Sequence, residues 1–353
     1  MQFSHYKIEN NVPFRVDSEK LERELYRVIE NFTKRVKSTI QRYFLTITLC
    51  WIVLGLFAFL LISSLTFWIN PILTAFSLGL FVLGLFAYYV FHRFLIIHKP
   101  QKYRMMCEEF GKLCHEAIPY PSGTPQHHST MALAYALCAD YLNGKEYSYY
   151  SHRWFSRYLS SPLEILSCFL FWKEMYVLRE ILLLASVKEY LDLVKSDPVN
   201  LTYHSQLANG YVLLSRLYKD PRSEETNEEL RWIPKKRYDA IVAEKYRHTA
   251  ERAIEEFKII SSYAPDDPWV HAQLALSYRD LALPFEEIHA CEALLRLCPS
   301  DRDTLHRLGT LYFQLGANAK GLEVYKQLCH IDCGLAALLI AQYGCAPSLQ
   351  TDY

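Results

Sequence analysis

The chain has 353 residues, with 38 Lys and Arg against 38 Asp and Glu, 22% charged residues, and only 12 Gly and 15 Pro. This composition excludes a disordered, collagen-like or low-complexity protein, and the balanced charge predicts no nucleic-acid partner. The length fits roughly two domains. The charges are unevenly placed, however, because residues 43–91 contain no Asp, Glu, Lys or Arg.

The chain begins with a segment that shows no hydrophobic period, and we expect a flexible tail over residues 1–16. An amphipathic helix is predicted over residues 17–42, because apolar side chains recur there at spacings of four and three. These side chains are Leu21, Leu25, Val28, Phe32, Val36 and Ile40. We expect the helix of residues 101–117 to cover this stripe, with a second copy of the chain or the membrane surface as alternatives.

The charge-free run is too long for one membrane span, and far longer than a signal-peptide core of up to about 15 residues. Asn70 and Pro71 divide it, because Asn-Pro is a turn dipeptide and proline cannot continue a helix. As helices, residues 43–67 and 72–96 are each about 37 Å long, enough to cross a bilayer core of about 30 Å. We predict a transmembrane helical hairpin over residues 43–97. The alternative is a buried hairpin in a soluble core, which normally shows a polar face that both halves lack.

Basic residues flank this hairpin on both sides and are absent from its turn. They are Arg23, Arg27, Lys34, Arg35, Lys37 and Arg42 before it, and Arg93, Lys99, Lys102, Arg104 and Lys112 at the end of the second span or after it. The positive-inside rule predicts that both termini face the cytoplasm. The chain is therefore predicted to be an integral membrane protein with two spans and reduced cysteines.

A helix and a proline-rich linker are predicted over residues 98–130, with His127 and His128 as a solvated pair in the loop. Residues 163–187 are predicted to form a strongly apolar helix, and its charged residues argue against a third span. Those charged residues are Lys173, Glu174, Arg179 and Glu180. We interpret this segment as a buried core helix. The alternative is a helix on the bilayer or against the base of the hairpin.

Residues 131–345 are predicted to be helical throughout, and prolines indicate a repeat, since Pro265 and Pro299 are 34 residues apart. The unit after Pro299 has Leu308-Gly309-x-x-Tyr312 on its first helix and Gly321-x-x-x-Tyr325 on its second. This unit resembles the tetratricopeptide repeat (TPR), a helix-turn-helix of 34 residues. We expect the two glycines to lie where helices cross closely.

The resemblance covers roughly residues 131–333 and weakens toward the start of that range. The unit before Pro299 has Glu287 where the family has a small residue and Cys291 where it has an aromatic one. An acidic insertion at about residues 220–236 interrupts the unit before that. The Ala- and Leu-rich residues 334–342 are predicted to cap the array, and their apolar character predicts a contact with a partner or a second copy. Residues 346–353 are expected to form a tail.

The resemblance implies an all-α fold in which an N-terminal transmembrane hairpin is followed by a TPR-like α-solenoid. The first helix of each unit would line a groove that binds a peptide or helix of a partner protein. The groove positions carried over by register are Ser205, Asn209, Val212, Ala272, Leu276, Arg279, His306, Thr310 and Phe313. Only Asn209 and Arg307 resemble the family's carboxylate clamp, so docking of a terminal carboxylate is not expected.

The sequence contains no phosphate-binding Gly-rich loop, no H-E-x-x-H and no G-x-S-x-G. Cys329, His330 and Cys333 lack a second pair of ligands elsewhere, so no metal or cofactor is predicted. We therefore expect a membrane-anchored cytoplasmic adaptor or scaffold and not an enzyme. Three alternatives remain. The hairpin resembles those of chlamydial inclusion membrane proteins, which would make the chain an exported vacuole membrane protein that recruits host proteins. A structural subunit or assembly factor of a membrane complex and a cysteine-dependent membrane enzyme are the other two.

Overall fold

The computed structural model of the chain describes residues 18–66, 71–147, 160–220 and 238–343, and all regular structure in these ranges is helical, as predicted. The α-helices are α1 (Ser18–Thr66), α2 (Pro71–Ala117), α3 (Pro125–Tyr141), α4 (Ser160–Ser196), α5 (Leu201–Tyr218), α6 (Ala240–Tyr263), α7 (Pro268–Asp280), α8 (Pro284–Leu297), α9 (Arg302–Gln314), α10 (Asn318–Ile331) and α11 (Cys333–Ile340). A short 3-10 turn spans Lys145–Tyr147. Both predicted tails and nearly all of the predicted insertion lie outside the described residues.

The chain divides into two compact units, and the division falls inside α4, directly after Glu189. The first unit contains the long helices α1 and α2, which pack against each other. Phe32 of α1 contacts Phe110 of α2 with ring centroids 4.9 Å apart, and Ser64 lies 3.0 Å from Ser77. The early residue of α1 contacts a late residue of α2, and the late residue of α1 contacts an early one. The two helices therefore form an antiparallel hairpin.

The apolar stripe at the start of α1 is buried against α2, so the predicted intramolecular pairing with residues 101–117 is confirmed. Phe32 and Val36 are 4% and 0% exposed, and Phe32 packs on Phe110 of α2.

The middle of the hairpin has the opposite character, because its apolar side chains face outward. Both α1 and α2 are long and apolar enough to cross a membrane. Only 6% of an apolar stretch of 18 residues in each helix is buried. Trp51 and Tyr88 are in ring contact across the pair, at 5.3 Å. The two helices thus cover each other along one narrow seam and leave the rest of their apolar surface open.

Helix α4 begins beside the base of this hairpin and then joins the core of the first unit. Phe171 contacts Phe44 edge to face at 5.9 Å, and Glu174 forms an ion pair with Lys99 at 2.8 Å. Met175 and Leu178 on the same helix are 1% and 0% exposed. The segment is therefore a buried core helix that also contacts the base of the hairpin, so both interpretations hold in part.

The second unit is a TPR-like solenoid of antiparallel helix pairs. Helices α5 and α6, α7 and α8, and α9 and α10 pack as pairs, and α6 packs on α7 as α8 packs on α9. Helix α11 packs on both α9 and α10. Asp267 begins α7 by accepting a hydrogen bond from the Trp269 amide, and Asp332 begins α11 in the same way. Repetition of one helix pair therefore builds this unit, as the sequence predicts.

Two glycines allow the closest helix contacts in the last repeat, which confirms that prediction. A Cβ atom at Gly309 would lie 2.5 Å from Leu339 Cδ2 of α11, and one at Gly321 would overlap the ring of Phe313. Leu339 and Phe313 are buried. Any larger residue at either glycine would therefore displace a packed side chain.

The turn between α7 and α8 carries backbone strain that the next repeat avoids. Ala282 has φ +53°, and the residue 34 positions later in the corresponding turn is Gly316, with φ +75°. Both turns make the same backbone hydrogen bonds, from Leu283 to Tyr278 in one and from Ala317 to Tyr312 in the other. Alanine thus occupies a left-handed position that glycine adopts at no steric cost.

We expect Ala282→Gly to raise the free energy of unfolding of the solenoid by up to about 1.5 kcal/mol. Relief of the left-handed strain, about 1–2 kcal/mol, outweighs the loss from a more flexible unfolded chain, about 0.4–1 kcal/mol. Denaturant unfolding of the full chain in detergent measures the change, and Gly316→Ala is the matched control with the opposite sign. A loss of stability in Ala282→Gly would contradict the strain.

Candidate functional site

The predicted groove residues lie on α5, α7 and α9, the first helices of the three pairs, and they differ in exposure. Leu276 and Arg279 of α7 are exposed, Leu276 by 43%. Four others are half-buried: Asn209, Val212, Ala272 and His306. The Nε2 atom of His306 is buried and has no hydrogen-bond partner among the described residues. The accessible part of the predicted groove is therefore centred on α7.

Three predicted groove residues are buried inside the solenoid. Ser205, Thr310 and Phe313 are 8%, 7% and 3% exposed. The hydroxyl of Thr310 donates to the carbonyl of His306 at 2.9 Å, and that of Ser205 donates to the carbonyl of Thr202 at 2.8 Å. Phe313 packs on Gly321 and on the ring of Tyr343, at 5.5 Å. These three side chains are not accessible to a partner.

Helix α7 is tied to the preceding pair by polar contacts at its C-terminal end. Lys219, just after α5, forms an ion pair with Asp280 at 2.9 Å. The hydroxyl of Tyr246 in α6 donates to the Asp280 carbonyl at 2.7 Å. These contacts hold the α5–α6 pair against the α7–α8 pair. They lie next to Arg279, at one end of the accessible face.

A buried ion pair joins the second repeat to the third. Glu287 of α8 is 3% exposed and accepts two hydrogen bonds from Arg307 of α9, at 2.6 and 2.8 Å. Glu287 occupies the position that holds Gly321 one repeat later. The departure from the repeat pattern thus has a structural cause, because the longer side chain reaches the neighbouring repeat. Both hydrogen bonds commit the Arg307 guanidinium to Glu287.

The histidines at the start of α3 are not a solvated loop pair, and this prediction is wrong. His127 and His128 lie in the first turn of α3, where Pro125 fits the first helical position. His127 is 7% exposed and lies 2.8 Å from Nδ1 of His115, whereas His128 turns away to Glu189 at 2.7 Å. The helix start after the linker was missed because Thr124 was not recognised as its N-cap.

Three cysteines in the two units, Cys107, Cys114 and Cys291, are buried. Burial raises the pKa of Cys107, Cys114 and Cys291 each to about 12, so their reactive thiolate is scarce at neutral pH. Cys298 is only half-buried. Within the described residues no group of three or more His, Cys, Asp or Glu side chains could hold a metal ion.

His204 of α5 contacts Glu256 of α6 and so joins the two helices. Burial disfavours the charged imidazole of His204, but its hydrogen bonds to Glu256, at 2.6 Å, and to the Pro198 carbonyl raise its pKa above the ordinary value. Sequence reasoning missed this contact, which a spacing of six residues after a proline could have indicated. His271 bonds the carbonyl of Pro265 in the same way at 2.7 Å.

We expect the α5–α6 pair to lose stability as the pH rises. Because the pKa of folded His204 is raised, its stabilisation is complete below the ordinary histidine value of about 6.5 and is lost as the pH rises through the raised value. Hydrogen exchange in α5, corrected for the intrinsic rate, should become several-fold faster between about pH 6 and about pH 8. His204→Gln should remove this pH dependence. An equal response in both proteins would refute it.

Comparisons with known proteins add little to the description above. No family model matches the chain, and no curated protein matches it. A solved structure, a thermophilic TPR protein from Thermus thermophilus, is similar over 62% of this chain and 91% of its own, with 15% sequence identity and a TM-score of 0.31. A likeness of this size carries no argument about function. The assignment of a helical repeat solenoid rests on the helix pairs described above.

Proposed function

We propose that this chain is a membrane-anchored adaptor that binds a segment of a partner protein through the first helices of its solenoid. The observation that carries the proposal is the accessible face of α7, where Leu276 and Arg279 are exposed side by side at a spacing of three residues. Asn209 and His306 continue the face on α5 and α9. A surface with one apolar and several polar or basic side chains suits an extended or helical protein segment.

Membrane anchoring by the hairpin is the other part of this proposal. Leu56 and Val82, near the middle of the two helices, are 58% and 56% exposed. A core helix of a soluble protein would bury these side chains, whereas lipid would cover them in a bilayer. The basic residues at both flanks favour two cytoplasmic termini, with the solenoid on the same side.

Affinity capture with the detergent-solubilised full chain tests the adaptor. Leu276→Glu combined with Arg279→Glu changes the groove without altering a buried side chain, and Phe285→Glu on α8 is the matched control, since Phe285 is 66% exposed on a second helix. We expect a defined protein to be retained by the wild type and the control and lost, about tenfold or more, from the groove variant. Equal retention by all three would place binding elsewhere.

The cap supports a further proposed contact, with a partner or a second copy of the chain. Leu338 of α11 and Ile331 of α10 are 61% and 44% exposed, although both are apolar. Sizing the solubilised chain with and without Leu338→Glu separates the two, because a self-contact changes the size of the pure protein.

A further inference from the structure

The N-terminal turns of α4 lie at the edge of the apolar hairpin. Phe171 touches Phe44, the second residue of the charge-free run, and Glu174 is paired with Lys99, which follows the predicted second span. The amine of Lys99 also lies 5.3 Å from the ring of Tyr43. These contacts place this part of α4 level with the ends of the two proposed spans.

The direction of α4 follows from contacts further along it. Ser186 donates to the carbonyl of Ala132 at 2.8 Å, and Glu189 contacts His128. His128 adjoins His127, which bonds His115 near the end of α2. Helix α4 therefore runs away from the hairpin base alongside α2, and its N-terminal end is the end nearer the spans.

The outward face of this end carries an aromatic and a basic side chain. Phe169 is 58% exposed, and Lys173, one turn further from the spans, is also exposed. Side chains four residues apart share one face of a helix. The carboxylate of Glu174 does not neutralise the charge of Lys173, because it forms an ion pair with Lys99.

This order of side chains matches the boundary layer of a membrane. Aromatic rings favour the level between headgroups and acyl chains, and ammonium groups reach the lipid phosphates from the cytoplasmic side. Lys173, Glu174 and Arg179 make this helix too polar to cross the bilayer. Leu184 and Lys188 repeat the same apolar–basic pair at the other end of the helix, far from the hairpin base.

We propose that the turn of α4 from Phe169 to Lys173 is a third membrane contact, which lies in the interface with Phe169 at the acyl boundary and Lys173 on the phosphates of anionic lipids. The proposal rests on the proposed membrane anchoring of the hairpin. It continues the lipid-facing surface of the spans onto the cytoplasmic part of the first unit.

Photocrosslinking of the full chain in vesicles tests this contact. A photoreactive phenylalanine analogue replaces Phe169, Leu184 or Leu56, one at a time, and the vesicles contain equal parts of phosphatidylcholine and fluorescent-headgroup phosphatidylglycerol. We expect lipid labelling at Leu56 and Phe169 and several-fold less at Leu184. Lys173→Glu should lower labelling at Phe169 by about fivefold, the factor that one basic residue is worth near an anionic surface, whereas Lys188→Glu should not.

The outcomes separate the two proposals. Labelling at Leu56 without labelling at Phe169 overturns the third contact and leaves the anchor intact. Absence of lipid labelling at Leu56 overturns the anchor and this inference with it. Crosslinking of Phe169 to a second copy of the chain, in place of lipid, shows a protein interface and overturns the inference.

Discussion

Glu287→Ala is expected to lower the free energy of unfolding of the solenoid by about 3 kcal/mol. The carboxylate is almost completely buried and accepts both hydrogen bonds of the Arg307 guanidinium. Its removal leaves a partly buried cation with no counter-charge, and this loss exceeds the value of an ordinary hydrogen bond. Denaturant unfolding of the full chain in detergent, followed by far-ultraviolet circular dichroism, measures the change.

A double substitution distinguishes the pair from simple packing. Glu287→Leu with Arg307→Met replaces both charges by apolar groups of similar length, and such replacements of buried ion pairs are often neutral or stabilising. We expect this double variant to recover most of the stability that Glu287→Ala loses. If the double variant were as unstable as the sum of its single changes, the two side chains would act independently and the buried pair would not explain the position.

Gly321→Val is expected to destabilise the last repeat by about 3 kcal/mol, at the upper end of overpacking effects. A Cβ atom at this position overlaps the ring of Phe313, which is 3% exposed and in edge-to-face contact with Tyr343. Thermal unfolding of the full chain gives the loss directly.

The partner substitution provides the control for this clash. In a Phe313→Leu background the smaller side chain leaves room for the valine, so Gly321→Val should cost markedly less there than in the wild type. The two changes should therefore be non-additive, as expected for side chains in direct contact. Additive losses would mean that the glycine is required for its backbone and not for the close approach.

Most of the helical architecture could be predicted because its signals are local. The charge-free hairpin, the amphipathic stripe and the 34-residue period depend on residue type and spacing alone. The partner of a buried charge is not local, so Glu287 stood out as a departure from the repeat while its ion pair with Arg307 could not be predicted.

The groove residues show the same limit. Register predicted Phe313 as a groove residue, yet in the structure it packs against Gly321 and Tyr343. The period of the repeat says nothing about where residues beyond the last complete unit will pack. Leu276, by contrast, belongs to a repeat that has another repeat on each side. Its side chain is exposed.

The ion pair between Glu287 and Arg307 also determines how the array could change in length. A repeat inserted between these two residues, or the removal of either one with its repeat, would strand a charge inside the stack. Units could therefore be gained or lost without this cost only outside that junction, which makes the second and third repeats a fixed couple.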